Sequence, residues 1–125
     1  MKVAYVDTSC LVAIAFGEKG GRALTRRLKE FDELVSANLL EAELSAAFRR
    51  EGVDQAGLPV PVSWVIPDRP LSSEVAQVLA AGYVRGADCW HLAAALYLAA
   101  TPGEITFLSL DSRQLEVANA LGFRT

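Results

Sequence analysis

The sequence predicts an α/β fold with a central, mainly parallel sheet that is covered by helices on both faces. Short apolar runs alternate with amphipathic helical segments and are joined by short loops, as in parallel α/β proteins. The run 3–6 is apolar at both alternations, as a strand buried on both faces requires. With 125 residues, 52% of them hydrophobic and 22% charged, the chain suits one well-filled domain that spans residues 1–125.

The elements follow in order along the chain. An apolar run predicts the first strand, and Leu40, Leu44 and Phe48 form the apolar stripe of a later helix. The last helix carries Leu115 and Leu121 at helical spacing before a Gly stop signal. The predicted order is strand 2–6, helical segment 8–16, helix 20–31, strand 33–37, helix 39–51, Gly/Pro-rich loop 52–61, apolar run 62–66, helices 71–82 and 87–100, strand 105–109 and helix 111–121.

Composition narrows the class of protein. The longest apolar run, 92–100, is too short for the ~18–20 residues that span a bilayer, and the first residues read as a strand rather than a secretion signal. A cytoplasmic protein without a membrane partner is therefore expected. Cys10 and Cys89 lack CxxC or Cys/His spacing, which argues against zinc or a disulfide framework and favours reduced thiols. A redox switch between the two cysteines is a further hypothesis.

The charge balance limits how the chain could meet a nucleic acid. The net charge is −3, whereas contacts to phosphate dominate the affinity of nucleic-acid-binding proteins. Any basic surface must therefore be local. Arg85 and Arg113 lie close in sequence to Asp88 and Asp111, which makes them the better candidates for contact with phosphate.

Four acidic residues occur where a strand gives way to a helix or on the first turns of a helix. Asp7 ends the first strand, Glu43 lies early in helix 39–51, Asp88 heads helix 87–100, and Asp111 follows the last strand. In an open parallel sheet such positions gather at the carboxyl ends of the strands. Carboxylates brought together repel one another unless protons or a hard cation neutralise them. The pattern predicts a Mg²⁺ or Mn²⁺ site.

Each acid also has a structural interpretation. Asp7, Asp88 and Asp111 could simply cap helices. Glu43 falls on the apolar stripe, where Arg49 or Arg50 could pair with it instead of a metal, whereas Glu41 points away and is expected to be solvated.

His91 is the chain's single histidine and lies three residues after Asp88. It could act as a general base, but a packed or hydrogen-bonded structural histidine is the favoured interpretation.

The chemistry that suits such a cluster is phosphodiester hydrolysis, in which metal ions bind the phosphate and activate water. Other acid-bearing classes fit less well. A haloacid-dehalogenase-type phosphatase needs a second Asp where Ser9 stands, and a receiver-like domain needs paired acids at the first strand. The Gly17–Gly21 segment lacks the spacing of a phosphate-binding P-loop, and no GxGxxG is present.

Several motifs together resemble PIN-domain ribonucleases. Length and motif order look like the small VapC-type toxins of toxin–antitoxin pairs. The matching segments are Val6-Asp7-Thr8-Ser9, Leu40-Glu41-Ala42-Glu43-Leu44, Gly86-Ala87-Asp88-Cys89-Trp90-His91-Leu92-Ala93-Ala94-Ala95, Phe107-Leu108-Ser109-Leu110-Asp111-Ser112-Arg113 and Val117-Ala118-Asn119-Ala120-Leu121-Gly122.

The resemblance implies a three-layer α/β/α sandwich and a Mg²⁺- or Mn²⁺-dependent endoribonuclease, the toxin of a type II toxin–antitoxin system. RNA, a cognate antitoxin protein and a second copy in a homodimer are the implied partners. The residues that carry over as catalytic and metal-binding are Asp7, Glu43, Asp88 and Asp111, with Thr8 or Ser9 and Ser109 as accompanying hydroxyls that could bind substrate. The family usually has a small residue where Trp90 stands, so Trp90 could narrow the site or contact RNA.

Two alternatives remain within this resemblance. The chain could be a non-catalytic PIN-fold module that binds a protein partner. It could also be a PIN nuclease that processes RNA outside a toxin–antitoxin pair.

Overall fold

The computed structural model describes residues 1–54 and 57–125 and contains one four-stranded sheet. Its strands are β1 (Val3–Val6), β2 (Glu33–Ala37), β3 (Ser63–Val65) and β4 (Ile105–Leu108), in the spatial order β3-β2-β1-β4. Every neighbouring pair is parallel, and Tyr5 of β1 lies opposite Val35 of β2 and Phe107 of β4. All the carboxyl ends of these strands therefore share one edge of the sheet.

Six α-helices accompany the strands in the described part of the chain. Their bounds agree with the prediction to within a few residues, and the apolar run 62–66 forms the short edge strand β3. Gly86 is the first residue of its helix, one residue before the predicted start at 87. The helices are α1 (Thr8–Ala15), α2 (Gly21–Leu28), α3 (Leu39–Arg50), α4 (Ser72–Ala81), α5 (Gly86–Leu98) and α6 (Ser112–Ala120), and a 3₁₀ turn spans Pro102–Glu104.

The core has two apolar halves, one on each face of the sheet. Successive strand residues point to opposite faces, so Ala4 and Val6 pack with α1, α2 and α3. Tyr5 packs on the other face, against α4, α5 and α6. This arrangement confirms the predicted three-layer α/β/α sandwich.

Residues 55 and 56 of the Gly/Pro-rich stretch, which the sequence predicts to be a loop, lie outside the described residues. Within residues 1–54 and 57–125, none of the helices has the length and apolar character needed to cross a membrane. Cys10 and Cys89 are both buried and both free of disulfides, as expected for reduced thiols packed as small apolar groups.

Candidate active site

The four predicted acids all follow the carboxyl edge of the sheet. Asp7 comes directly after β1, and Asp111 comes three residues after the end of β4. Glu43 is the fifth residue of α3, the helix that follows β2, and Asp88 is the third residue of α5. The parallel sheet therefore turns four positions that are distant in sequence toward the same end of the molecule.

Asp7 is buried and is held by hydrogen bonds on both carboxylate oxygens. Ser9 donates to Oδ2 from its hydroxyl at 2.7 Å and from its backbone N–H at 3.2 Å, so Asp7 is the N-cap of α1. The Ser109 hydroxyl lies 3.3 Å from the same oxygen, and Gln114 Nε2 donates to Oδ1 at 3.4 Å. A buried carboxylate needs such partners because burial otherwise opposes its charge. The capping interpretation is thus correct for Asp7, and capping leaves its carboxylate at the site.

Glu43 is half-buried and points inward from α3, whereas Glu41 is exposed, as the helical pattern predicts. Its Oε1 accepts from the Thr8 hydroxyl at 2.8 Å and lies 2.7 Å from His91 Nε2. The hydrogen bond from His91 lowers the pKa of Glu43, and the Thr8 bond acts in the same direction against the effect of burial. The alternative pairing with Arg49 or Arg50 does not occur.

His91 is fully buried and links Glu43 to the middle of the sheet. The Tyr5 hydroxyl lies 2.7 Å from Nδ1 and accepts a hydrogen bond from the Ala37 N–H at 3.0 Å. Burial raises the pKa of Tyr5 well above its usual range, so this hydroxyl keeps its proton and can donate it to Nδ1. Nε2 then carries the imidazole hydrogen and donates to Glu43. The interpretation of His91 as a hydrogen-bonded, packed histidine is confirmed, and the bond is made to a predicted metal ligand.

Asp88 and Asp111 border an open cleft of about 440 Å³. Burial raises the pKa of the Asp88 carboxyl, and the nearby charges of Asp7 and Asp111 raise it further. Asp111 is exposed and caps α6 by accepting from the Gln114 N–H at 3.1 Å. The cleft is lined by Tyr83, Val84, Arg85, Asp88, Asp111 and Arg113.

The charges of Asp7, Asp111 and Glu43 all raise the pKa of Asp88, so the four acids act on one another electrostatically. Among the described residues, no group of three His, Cys, Asp or Glu side chains is arranged as a ready-made metal-binding set. The donor chemistry nevertheless fits Mg²⁺ or Mn²⁺, because both are hard cations that prefer carboxylate oxygen. Mutual repulsion among the carboxylates would be relieved by such a cation.

A family model described as PIN domain matches residues 4–120, which include all four acids. The chain belongs to the PIN-domain family. No curated protein and no solved structure gave a match to the chain. PIN domains are generally nucleases, so the family agrees with the phosphodiester chemistry that the acids predict.

The predicted hydroxyl residues of this PIN domain support the acids in the free protein. Thr8 donates to Glu43, and Ser9 donates to Asp7. Ser109 lies between Asp7 and Gln114, and its hydroxyl is 2.7 Å from Gln114 Oε1. Direct contact of these hydroxyls with substrate stays a prediction.

The two predicted phosphate-binding arginines differ in how they are held. Arg113 donates from Nε to the Tyr83 carbonyl at 3.0 Å and pairs with Glu116 at 2.9 Å. Arg85 is exposed, and its guanidinium makes no hydrogen bond or ion pair with any described residue. Arg85 is thus the cation at the cleft whose charge is available to a ligand.

Sequence reasoning missed Tyr5 and Gln114. Tyr5 reads as one more apolar strand residue, and its role depends on His91, 86 positions away. Gln114 is fully buried in α6, where its amide also reaches the Asp88 carbonyl at 3.4 Å. A polar residue at an inward position of a helix is the signal that could have found it.

Proposed function

We propose that this PIN domain is a Mg²⁺- or Mn²⁺-dependent endoribonuclease that hydrolyses RNA phosphodiester bonds. The observation that carries the proposal is that Asp7, Glu43, Asp88 and Asp111 all follow the carboxyl edge of one parallel sheet. The raised pKa of Asp88, caused by burial and by the charges of Asp7 and Asp111, agrees with this arrangement. Such uncompensated negative charge would repel a phosphate. A divalent cation held there would reverse the sign of the local field and attract one.

Asp7, Glu43, Asp88 and Asp111 are the residues that would hold the cation. When bound, a divalent cation lowers the pKa of water and neutralises charge on the phosphate. The chain's own residues keep the acids in place. His91 and Thr8 hold Glu43, Ser9 and Gln114 hold Asp7, and Ser109 in turn holds Gln114. Arg85 would contact an RNA phosphate next to the cleft.

The proposed biological role is that of a type II toxin, because length and motif order resemble VapC-type toxins. On this proposal the partners are RNA, a cognate antitoxin protein and a second copy of the chain. An antitoxin that covers the acidic cleft would stop cleavage, and Arg85 and Arg113 at its border could contact an acidic segment of such a protein.

The nuclease proposal is tested by incubating the purified protein with single-stranded RNA and Mn²⁺, with and without EDTA. Cleavage is expected with Mn²⁺, and it should disappear in EDTA and in Glu43→Gln. The matched control is Glu41→Gln, which removes an exposed carboxylate from the same helix and should cleave like wild type. Undiminished cleavage in EDTA would exclude the metal mechanism.

Two further measurements separate the alternatives. A non-catalytic binding module would show no cleavage, and its melting temperature would not rise with Mn²⁺, whereas a native-state ligand site stabilises the fold. A toxin should arrest growth when expressed in bacterial cells, with relief by co-expression of its antitoxin. An RNA-processing nuclease should cleave RNA without arresting growth.

A further inference from the structure

An apolar groove lies between α4 and the start of α5, next to the acidic cleft. It encloses about 430 Å³ and contains two aromatic side chains. Tyr83 is 72% exposed and Leu79 is 46% exposed, although both are large and mainly apolar. Large apolar groups left open to water in a groove commonly mark a binding site. The groove is lined by Val75, Leu79, Tyr83, Val84, Gly86, Cys89 and Trp90.

The groove and the acidic cleft meet at the segment before α5. Tyr83 and Val84 line both of them. Gly86 opens α5 between the two, and no atom lies within 4 Å of the place where a Cβ would stand. A chain molecule that begins in the acidic cleft can therefore continue across this open position into the groove.

The charge at the junction suits a phosphate backbone. Arg85 precedes Gly86 and is exposed, and its guanidinium makes no ion pair or hydrogen bond within the part of the chain that the structure describes. Arg113 donates to the Tyr83 carbonyl and so anchors the backbone that carries the exposed ring. The junction thus offers one guanidinium that is open to a phosphate and, beside it, one exposed aromatic ring on a backbone that Arg113 anchors.

The size of the groove favours a nucleobase over a protein surface. Seven residues line it, whereas a stable protein interface uses about 20–30 residues on each side. Flat aromatic rings stack on any base and tolerate every sequence.

We propose that this groove is a subsite for an unpaired base next to the phosphate that is cleaved. The base would lie against Tyr83 and Trp90, with the adjacent phosphate at Arg85. The inference rests on the nuclease function proposed above and adds how its substrate is recognised. A base inside a duplex is not free to enter the groove, so paired RNA should be a poor substrate.

The test measures binding of a fluorescent single-stranded RNA by anisotropy, in an Asp7→Asn background that prevents cleavage. Tyr83→Ala is expected to raise the dissociation constant at least about fivefold, because base–aromatic stacking contributes on that scale. Tyr83→Phe keeps the ring and should bind like the parent. Leu98→Ala is the matched control, since Leu98 is 41% exposed and lies about 12 Å along the same helix from Trp90.

A second arm uses RNA with a single abasic position, moved along the strand. An abasic site at one position beside the cleaved bond should weaken binding to the Asp7→Asn parent, but it should not weaken binding to the Tyr83→Ala variant. Equal affinities of the parent and Tyr83→Ala would overturn the subsite. A change from dimer to monomer in Tyr83→Ala, measured by sedimentation with the RNA affinity unchanged, would also overturn it. That result would mean that a second copy of the chain covers the groove. RNA cleavage that is independent of Tyr83 rejects this inference alone, whereas no RNA cleavage by wild type rejects the proposed function.

Discussion

His91 Nε2 lies 2.7 Å from Glu43 Oε1, while Nδ1 of the same imidazole meets the Tyr5 hydroxyl at 2.7 Å. A glutamate side chain is flexible, and here one of its oxygens is fixed by a chain of bonds that ends on the backbone of β2 at Ala37. No described residue bonds to Oε2 of Glu43. Hydrogen bonds to Oε1 thus fix the position of the carboxylate, and Oε2 is left for a ligand. Metal-binding carboxylates are commonly held in this way by residues that do not themselves contact the metal.

Tyr5→Phe should weaken both the fold and the metal site. Removing the hydroxyl leaves the buried Ala37 N–H and His91 Nδ1 without partners, so the free energy of unfolding should fall by about 1–3 kcal/mol. With Glu43 less firmly held, Mn²⁺ affinity should fall about tenfold or more in calorimetric titration. Tyr97→Phe is the control, since it removes a hydroxyl that bonds to the exposed Asp68. Unchanged Mn²⁺ affinity in Tyr5→Phe would contradict the positioning role.

Glu43→Gln should change how stability depends on pH. The His91 hydrogen bond lowers the pKa of Glu43 below its ordinary value of 4.5. Ionised Glu43 therefore stabilises the metal-free fold above that value, and this contribution is lost as the pH falls through the lowered pKa. The difference in unfolding free energy between wild type and Glu43→Gln, measured with urea, should be full at pH 6 and shrink toward pH 3. Glu41→Gln should show no such trend, and a difference that grows toward low pH would reverse the argument.

The fold was largely predictable because a sheet covered on both faces leaves a simple pattern. Strands such as Val3–Val6 must be apolar on both sides, and each is followed by a helix. Parallel strands then bring Asp7 and Asp111 to one edge without any knowledge of strand order. Helix capping and a place at the site also proved compatible for Asp7 and Asp111, since each caps a helix and still lies at this edge of the sheet.

The supporting contacts were not predictable from local pattern. The bond between Tyr5 and His91 joins residues 86 positions apart, and the bond between Gln114 and Asp7 joins residues 107 positions apart. Both depend on β1 lying between β2 and β4, an order that no local spacing encodes. The placing of Glu43 on the inner face was predictable, but the identity of its partner was not.

Cys10→Ala tests the hypothesis of a redox switch with Cys89. Cys10 is fully buried, and burial raises the pKa of its thiol to about 12, so the reactive thiolate is scarce at neutral pH. The variant should keep RNA cleavage within about twofold, with a modest loss of stability of about 1 kcal/mol. Wild-type cleavage measured under oxidising and reducing conditions should also agree. Loss of activity on oxidation that Cys10→Ala prevents would support the switch instead.

Asp88→Asn should stabilise the metal-free protein while it removes the metal response. The raised pKa of Asp88 means that the folded protein disfavours its charge, so stability falls as the pH rises through the ordinary value toward the raised one. At neutral pH the uncharged amide avoids both burial of charge and repulsion from Asp7 and Asp111. The melting temperature without metal should therefore rise, the increase with Mn²⁺ should shrink, and cleavage should fall more than about 100-fold.

The control for this variant is Asp54→Asn, which neutralises an exposed acid elsewhere and should leave the Mn²⁺ response intact. Asp88→Asn would behave differently if Asp88 had only a structural role and did not bind the metal. Replacing an acid that only stabilises a helix end would lower the metal-free melting temperature and spare the Mn²⁺ response. Opposite signs in the two measurements, stabilisation without metal and loss of response with it, are expected only if Asp88 is kept at a cost to stability in order to bind a cation.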